Sequence, residues 1–388
     1  MLPSLTHELD DLKTRGLYRQ SRLVTGPQDP LLTVDGREVV CFCSNNYLGL
    51  ATHPRVKERA AAAITDYGVS PVSSRLVSGH MTAHQELEGR MAAFLGAEAA
   101  LSFPSGYMAN LGAVGCLVGK GDVVFSDRLN HRSLIDACRL SRADIVVYDH
   151  GKVDQLTALI DAHPDARRRL IVTDAIFSMD GDLAPLPELV ELAELRQAIL
   201  MVDDAHGTGA LGPSGAGTHE HFGITIGNGI DILMTSGSKG LGTYGGYIAG
   251  SADLIDLLRN RAPSFIYTTA LPADICEATQ AALDVLQDEP ERRLRLSDNA
   301  AVIRAALTDL DFDVMASETH IIPVRIGDAK ETMTLSEALF DRGIFLQGIR
   351  PPTVPEGESR LRLSVMATHT DEHIAKLINA MGEVKSKK

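Results

Sequence analysis

The stretch that decides the fold is Ala198–Gly217, AILMVDDAHGTGALGPSGAG. Its first half is a continuous apolar run closed by two acids, which reads as a strand buried on both faces. Its second half contains GTGALG, which has the G-x-G-x-x-G spacing of dinucleotide-binding loops and follows a strand as that motif demands. The match fails downstream. Pro213 and further glycines stand where a helix should begin, and the strand falls late in the chain instead of opening a βαβ unit. A nicotinamide-dinucleotide loop is therefore set aside. What remains is Asp203, a carboxylate at the end of an apolar strand, where burial is costly unless a positive group meets it. His206 follows closely.

Outward from that stretch, similar runs recur between Arg90 and Ala249: AALSF, DVVFS, ADIVVY, LIVTDA, DILMTS and GGYIAG. Helix-like segments such as HRSLIDACRLS and LPELVELAELRQ separate them, with apolar residues at three- and four-residue spacing. The alternation predicts an α/β domain on a mainly parallel central sheet, covered on both faces. After about residue 285 the pattern changes to a helix-rich segment, short strands and a final helix, which predicts a smaller α+β domain. The expected organisation is an N-terminal arm over 1–45 packed on the main body, a large α/β domain over 46–285 and a small C-terminal α+β domain over 286–388.

The chain has 388 residues, 44% hydrophobic and 23% charged, which suits a globular protein with a sizeable core. A net charge of -14 argues against a nucleic-acid partner, since phosphate backbones need a basic field. No apolar run is long enough to span a bilayer, and the opening MLPSLTHELDDLKTRG lacks a signal peptide's basic head and apolar middle, so a cytoplasmic location is expected. The five cysteines form no CxxC pair. Cys41 and Cys43 alternate in VVCFCS as on one face of a strand, so buried thiols are expected, with no disulfide framework and no metal site.

Ligands of open α/β sheets gather beyond the carboxyl ends of the strands, so the residues following each run carry the functional reading. In DILMTSGSKGLG, Lys239 stands among glycines and serines directly after an apolar run, a setting suited to a covalent handle against which something anionic can lie. No G-x-x-x-x-G-K-[ST] loop surrounds it. After AALSF, Ser105, Gly106 and Tyr107 open a helix-like run whose free N–H groups could take a phosphate, or could form a plain strand-to-helix turn. After DVVFS comes His131, a cap or a flat ring able to stack on another. Ser178 lies in the loop after LIVTDA.

An acid for a ring nitrogen, an amine, a histidine face, hydroxyls and glycine amides together form the set that pyridoxal phosphate requires. The motifs SNNYLGL, SGYMANLG, NHRSL, FSMDGDLAPL, VDDAHGTGALG and IRPPTVPEGESRLRLSVMATHT resemble the α-oxoamine synthases, fold-type-I (aspartate aminotransferase-like) pyridoxal-phosphate enzymes, over almost the whole chain. The closing IRPPTVPEG is similar to members that join L-alanine to a pimeloyl thioester; a relative acting on glycine and a shorter acyl donor is the alternative.

The resemblance implies that Lys239 holds the cofactor covalently, Asp203 keeps its ring nitrogen protonated, and His131 stacks on the ring. It places His206 and Ser178 near the phenolic oxygen, and the Gly106 and Tyr107 amides with Ser236 on the phosphate. The family has threonine at the Ser236 position, and Thr235 lies one step earlier; Asp174 stands where several relatives carry glutamate. Arg362 would grip the amino-acid carboxylate, with Arg19 and Thr353 at further substrate positions. Arg19 and Arg360 also read as plain surface charges. Thr269, in IYTTALP, would reach the phosphate of a neighbouring subunit, which implies a homodimer with shared sites. Whether the acyl group arrives on coenzyme A or an acyl carrier protein stays open. A non-catalytic scaffold of the same fold is disfavoured because Lys239, Asp203 and His206 are all present.

Overall fold

The computed structural model describes residues 4–386. It divides into two units. One is Leu48–Ser178 with Leu183–Arg293; the other takes in the N-terminal segment up to Tyr47, the short turn Met179–Asp182 and the C-terminal segment from Leu294.

The larger unit is built on a seven-stranded sheet. Its strands are β1 (Ala99–Phe103), β2 (Val123–Asp127), β3 (Asp144–Tyr148), β4 (Arg169–Asp174), β5 (Ile199–Asp203), β6 (Ile232–Ser236) and β7 (Gly246–Gly250). Their spatial order is β1-β7-β6-β5-β4-β2-β3. All seven coincide with the apolar runs read from the sequence. Neighbours pair in parallel except β7, which is antiparallel to both β6 and β1. The carboxyl ends of the other six therefore share one edge.

Two crossover helices frame that edge. Helix α1 (Gly106–Leu117) starts directly after β1, its N-terminus capped by Ser105, whose hydroxyl accepts from the Met108 amide at 3.2 Å. It is apolar on nearly every side and buried against the sheet, as a helix of that composition must be. Its close seat requires Gly246 on β7: a Cβ there would lie 2.5 Å from the Gly106 backbone. Helix α2 (Arg132–Ser141) follows β2 and is capped by His131, whose ring accepts from the Ser133 amide. The core between α1, α2 and the sheet includes Leu101, Phe103, Val114, Val124, Leu134, Val172 and Met234.

In the other unit a three-stranded antiparallel sheet joins β8 (Ile321–Gly327), β9 (Gln347–Ile349) and β10 (Ser359–Ser364), with β10 in the centre. A second, four-stranded sheet pairs the N-terminal strand Arg37–Cys41 in parallel with Ile344–Phe345. The N-terminal segment, read from the sequence as an arm on the main body, thus lies in a unit with C-terminal strands. Every residue of β10 is buried. This corrects the reading of Arg360 as a surface charge: it is 2% exposed and ion-paired with Asp180, because a central strand buries both of its faces. The strand carrying Cys41 ends at that residue, and Cys43 lies just beyond it with its sulfur 3.8 Å from that of Cys41. Cys41, Cys116, Cys138 and Cys276 are buried free thiols, and Cys43 is a half-buried one.

Candidate active site

The shared strand edge opens into a cavity of about 220 Å³. Its wall contains Gly106, Tyr107, His131, Ser178, Asp203, His206, Ser236 and Lys239, eight residues singled out from the sequence, delivered by the last residues of β5 and β6 and by the segments that follow β1, β2, β4, β5 and β6. Asp174 lines it too.

Each group is held by local structure. Lys239 sits in the glycine-rich turn after β6, its Nζ 3.0 Å from Nε2 of His206, which follows β5. Asp203, the last residue of β5, is 4% exposed. Its Oδ2 accepts from Asn110 Nδ2 at 2.7 Å and its Oδ1 from the Ala205 amide at 3.1 Å. The parallel register of β4 and β5 sets Asp174 opposite Asp203, two buried carboxyls side by side. Burial, and then the neighbouring Asp203 charge, push the Asp174 pKa well above the usual carboxylate range. Asp174 Oδ2 accepts from the His131 backbone N–H at 2.7 Å and so anchors the turn that carries that histidine. The His131 ring is open on the cavity side, while crowding by the protein lowers its pKa from 6.5; Asp203 pulls the other way and Lys239 adds to the lowering.

Ser236 and Thr235 separate by strand alternation. The Ser236 hydroxyl lines the cavity and bonds Ser238 Oγ at 2.8 Å, whereas Thr235 lies outside the wall with its hydroxyl buried. Tyr107 is exposed, and its phenol donates to Asp136 on α2, leaving its backbone amide as the group at the helix start. Thr269 is exposed and outside this wall. Arg19, Thr353 and Arg362 belong to the other unit. There Arg19 reaches the Thr353 hydroxyl at 3.4 Å, and both are exposed. Arg362 is 7% exposed and bonds Ser364 Oγ at 2.7 Å and Asn45 Oδ1 at 3.3 Å.

The glycine-rich segment after Asp203 is a succession of turns, with no helix before Thr218, so the dinucleotide reading fails in structure as in sequence. Its glycines close around Asp204. Gly217 has φ 129°, and a Cβ there would lie 1.9 Å from the Asp204 carboxylate.

Asn110 and Ser133 escaped the sequence reading. Both are buried, Ser133 in the cavity wall and Asn110 behind it, and Asn110 donates to Ser133 Oγ at 2.8 Å. The available signal was an amide inside an otherwise apolar helix.

The donor set fits pyridoxal phosphate. A helix start with a serine hydroxyl beside it suits a phosphate. A primary amine suits an aldehyde. Among the described residues no cation pairs with the buried Asp203 carboxylate, which leaves it a partner for a protonated ring nitrogen.

The family described as aminotransferase class I and II matches residues 37–381. The 8-amino-7-oxononanoate synthase of Geobacter sulfurreducens is 51% identical over 387 residues, covering 99% of this chain and 98% of that relative. The 8-amino-7-oxononanoate synthase of Thermoanaerobacter pseudethanolicus is 44% identical over 384 residues, covering 99% and 97%. Among solved structures, the serine palmitoyltransferase of S. paucimobilis with bound PLP and myriocin superposes with a TM-score of 0.93 at 29% identity, covering 99% of this chain and 97% of that one. The Francisella tularensis 8-amino-7-oxononanoate synthase gives 0.78 at 27% identity, covering 90% and 98%.

Proposed function

Because the chain belongs to the class I and II aminotransferase family, and within it to the 8-amino-7-oxononanoate synthases, we propose how its own residues perform that reaction. The chain joins L-alanine to a pimeloyl thioester and yields 8-amino-7-oxononanoate, carbon dioxide and the free thiol carrier, a step of biotin biosynthesis. Its cofactor, pyridoxal phosphate, supplies when bound an aldehyde that captures amines and a ring that takes up an electron pair.

Lys239 would hold that aldehyde, and its Nζ would take the α-proton of alanine. His206, in contact with the same nitrogen, keeps the amine over the reacting carbon. Asp203 holds a proton on the ring nitrogen, a role supported by a buried carboxylate with capacity to spare. His131 would hold the cofactor ring, and Ser178 with His206 would hold its phenolic oxygen. The Gly106 and Tyr107 amides and the Ser236 hydroxyl bind the phosphate. Arg362 takes the alanine carboxylate through its two-pronged guanidinium, and Arg19 and Thr353, already in contact, serve the acyl substrate. Thr269 reaches the phosphate of a second subunit, which makes the working form a homodimer. No helix among the described residues is long and apolar enough to cross a membrane, and a cytoplasmic setting is part of the proposal.

One observation carries the reading: an amine, two imidazoles and a buried carboxylate from three strand ends, those of β2, β5 and β6, meet on one cavity. The test is mass spectrometry of the product formed from L-alanine and pimeloyl-coenzyme A. The expected product is 8-amino-7-oxononanoate. Turnover confined to glycine with acetyl-coenzyme A would overturn the substrate assignment, and the carrier-protein thioester assayed in parallel identifies the natural donor.

A further inference from the structure

We propose that Asn110 and Ser133 are positioning residues that hold His131 as its neutral Nε2–H tautomer while fixing the Asp203 carboxylate. The inference deepens the reading above and rests on it for the roles of His131 and Asp203.

Asn110 lies inside α1 with no exposure. Its Nδ2 faces Asp203 Oδ2 at 2.7 Å and Ser133 Oγ at 2.8 Å. Chemistry fixes this orientation, because an ionised carboxylate only accepts and the amide must turn its nitrogen toward it. The Asn110 carbonyl is consequently left buried with no partner, an arrangement that a freely turning amide would not keep. Both amide hydrogens are then committed, one to each neighbour.

Ser133 receives one of them at its oxygen, so its own hydrogen is free to be given. His131 Nδ1 lies 2.7 Å from that oxygen. The Ser133 backbone N–H also donates to the same nitrogen, at 3.3 Å. A backbone N–H can only donate, so Nδ1 is the lone-pair nitrogen, the ring hydrogen resides on Nε2, and the Ser133 hydroxyl is the second donor to Nδ1. The backbone is tied as well, through the His131 N–H to Asp174. Of the charges around the ring, Asp203 favours the cation, while crowding by protein and Lys239 oppose it more strongly, so the ring stays neutral near pH 7. A histidine held this way offers an N–H to a carbonyl or carboxylate oxygen and cannot also act as the base through Nδ1. Proton abstraction is thereby left to Lys239.

The test labels the histidines of the holoenzyme with 15N and reads long-range 1H–15N correlations, with His131 assigned by its loss in His131→Asn. The expected wild-type pattern is an unprotonated Nδ1 and a protonated Nε2 at neutral pH; a hydrogen on Nδ1 would overturn the proposal. In Ser133→Ala the Nδ1–H form should become populated and kcat should fall roughly tenfold, with the KM for alanine within about twofold. Ser133→Thr, which keeps the hydroxyl, should restore both. An unchanged tautomer and kcat in Ser133→Ala would equally overturn it. Wild-type turnover of alanine with pimeloyl-coenzyme A, assayed alongside, separates the two claims: its absence with the tautomer intact sinks the enzymatic reading, and the reverse pattern sinks the positioning role of Asn110 and Ser133 alone.

Discussion

Asp203 and Asp204 are consecutive, both acidic and both buried, yet the protein treats them oppositely. Asp203 ends β5 on the cavity side, with an amide side chain and one backbone N–H as donors. Asp204 is closed in by its own chain: the Thr218 amide and hydroxyl and the Thr208 hydroxyl donate to it, and the glycine turns seal the space. Burial, only partly offset by those donors, raises its pKa from 3.8 to about 7. A carboxylate enclosed by neutral protein donors belongs to the fold. One left facing a cavity with capacity for a cation belongs to a ligand.

That contrast can be broken or sharpened by substitution, beginning with the lysine that shares the cavity with Asp203. Lys239→Ala should abolish measurable turnover, a loss of at least about 1,000-fold, since both the covalent handle and the base go with it. Asp203→Asn should lower kcat by roughly 100-fold or more, with thermal stability close to wild type; retained activity would erase the distinction between the two acids. Arg362→Lys should raise the KM for alanine roughly tenfold, because a point charge cannot replace a two-pronged donor.

Asp204→Asn should leave kcat within about threefold and act on stability instead, as measured by thermal unfolding across pH. With a folded-state pKa above the unfolded one, wild-type stability from this group is full below about pH 4 and is lost as pH rises through about 7. The difference in Tm between variant and wild type should therefore move in the variant's favour from pH 5 to pH 8, on the order of a few degrees. An identical pH profile for both proteins would show that Asp204 is not the buried acid inferred. Tyr107→Phe should have the smallest effect, activity within about twofold, because the exposed phenol only meets Asp136 and the backbone amide is kept.

Much of this was legible in the sequence, for physical reasons. Strands buried on both faces must be continuous apolar runs, so six strands of the main sheet stood out for that reason, and the seventh, β3, is an equally apolar run although it is largely exposed at the sheet edge. Residues at their carboxyl ends then fall on one edge, and Gly106, His131, Ser178, Asp203, His206, Ser236 and Lys239 do line one cavity. What escaped depends on partners distant in sequence. Arg360 looks like a surface charge until Asp180 meets it on a central strand. Asn110 and Ser133 are polar residues in helices, a position usually explained by solvent, and only the packing of α1 beside α2 reveals their bond. Gly246 has no local signature, and its meaning comes from the backbone of Gly106 against it. The strand pairing of Arg37–Cys41 with Ile344–Phe345 spans almost the whole chain and leaves no periodic trace.

The central claim is that Lys239, in contact with His206 and lining the same cavity as Asp203, is the covalent attachment point of pyridoxal phosphate. The most direct test is borohydride reduction of the cofactor-loaded protein followed by peptide mass spectrometry. A pyridoxyl-phosphate adduct on the peptide containing Lys239, and on no other lysine, is the predicted result. An unmodified Lys239, or an adduct elsewhere, would contradict it.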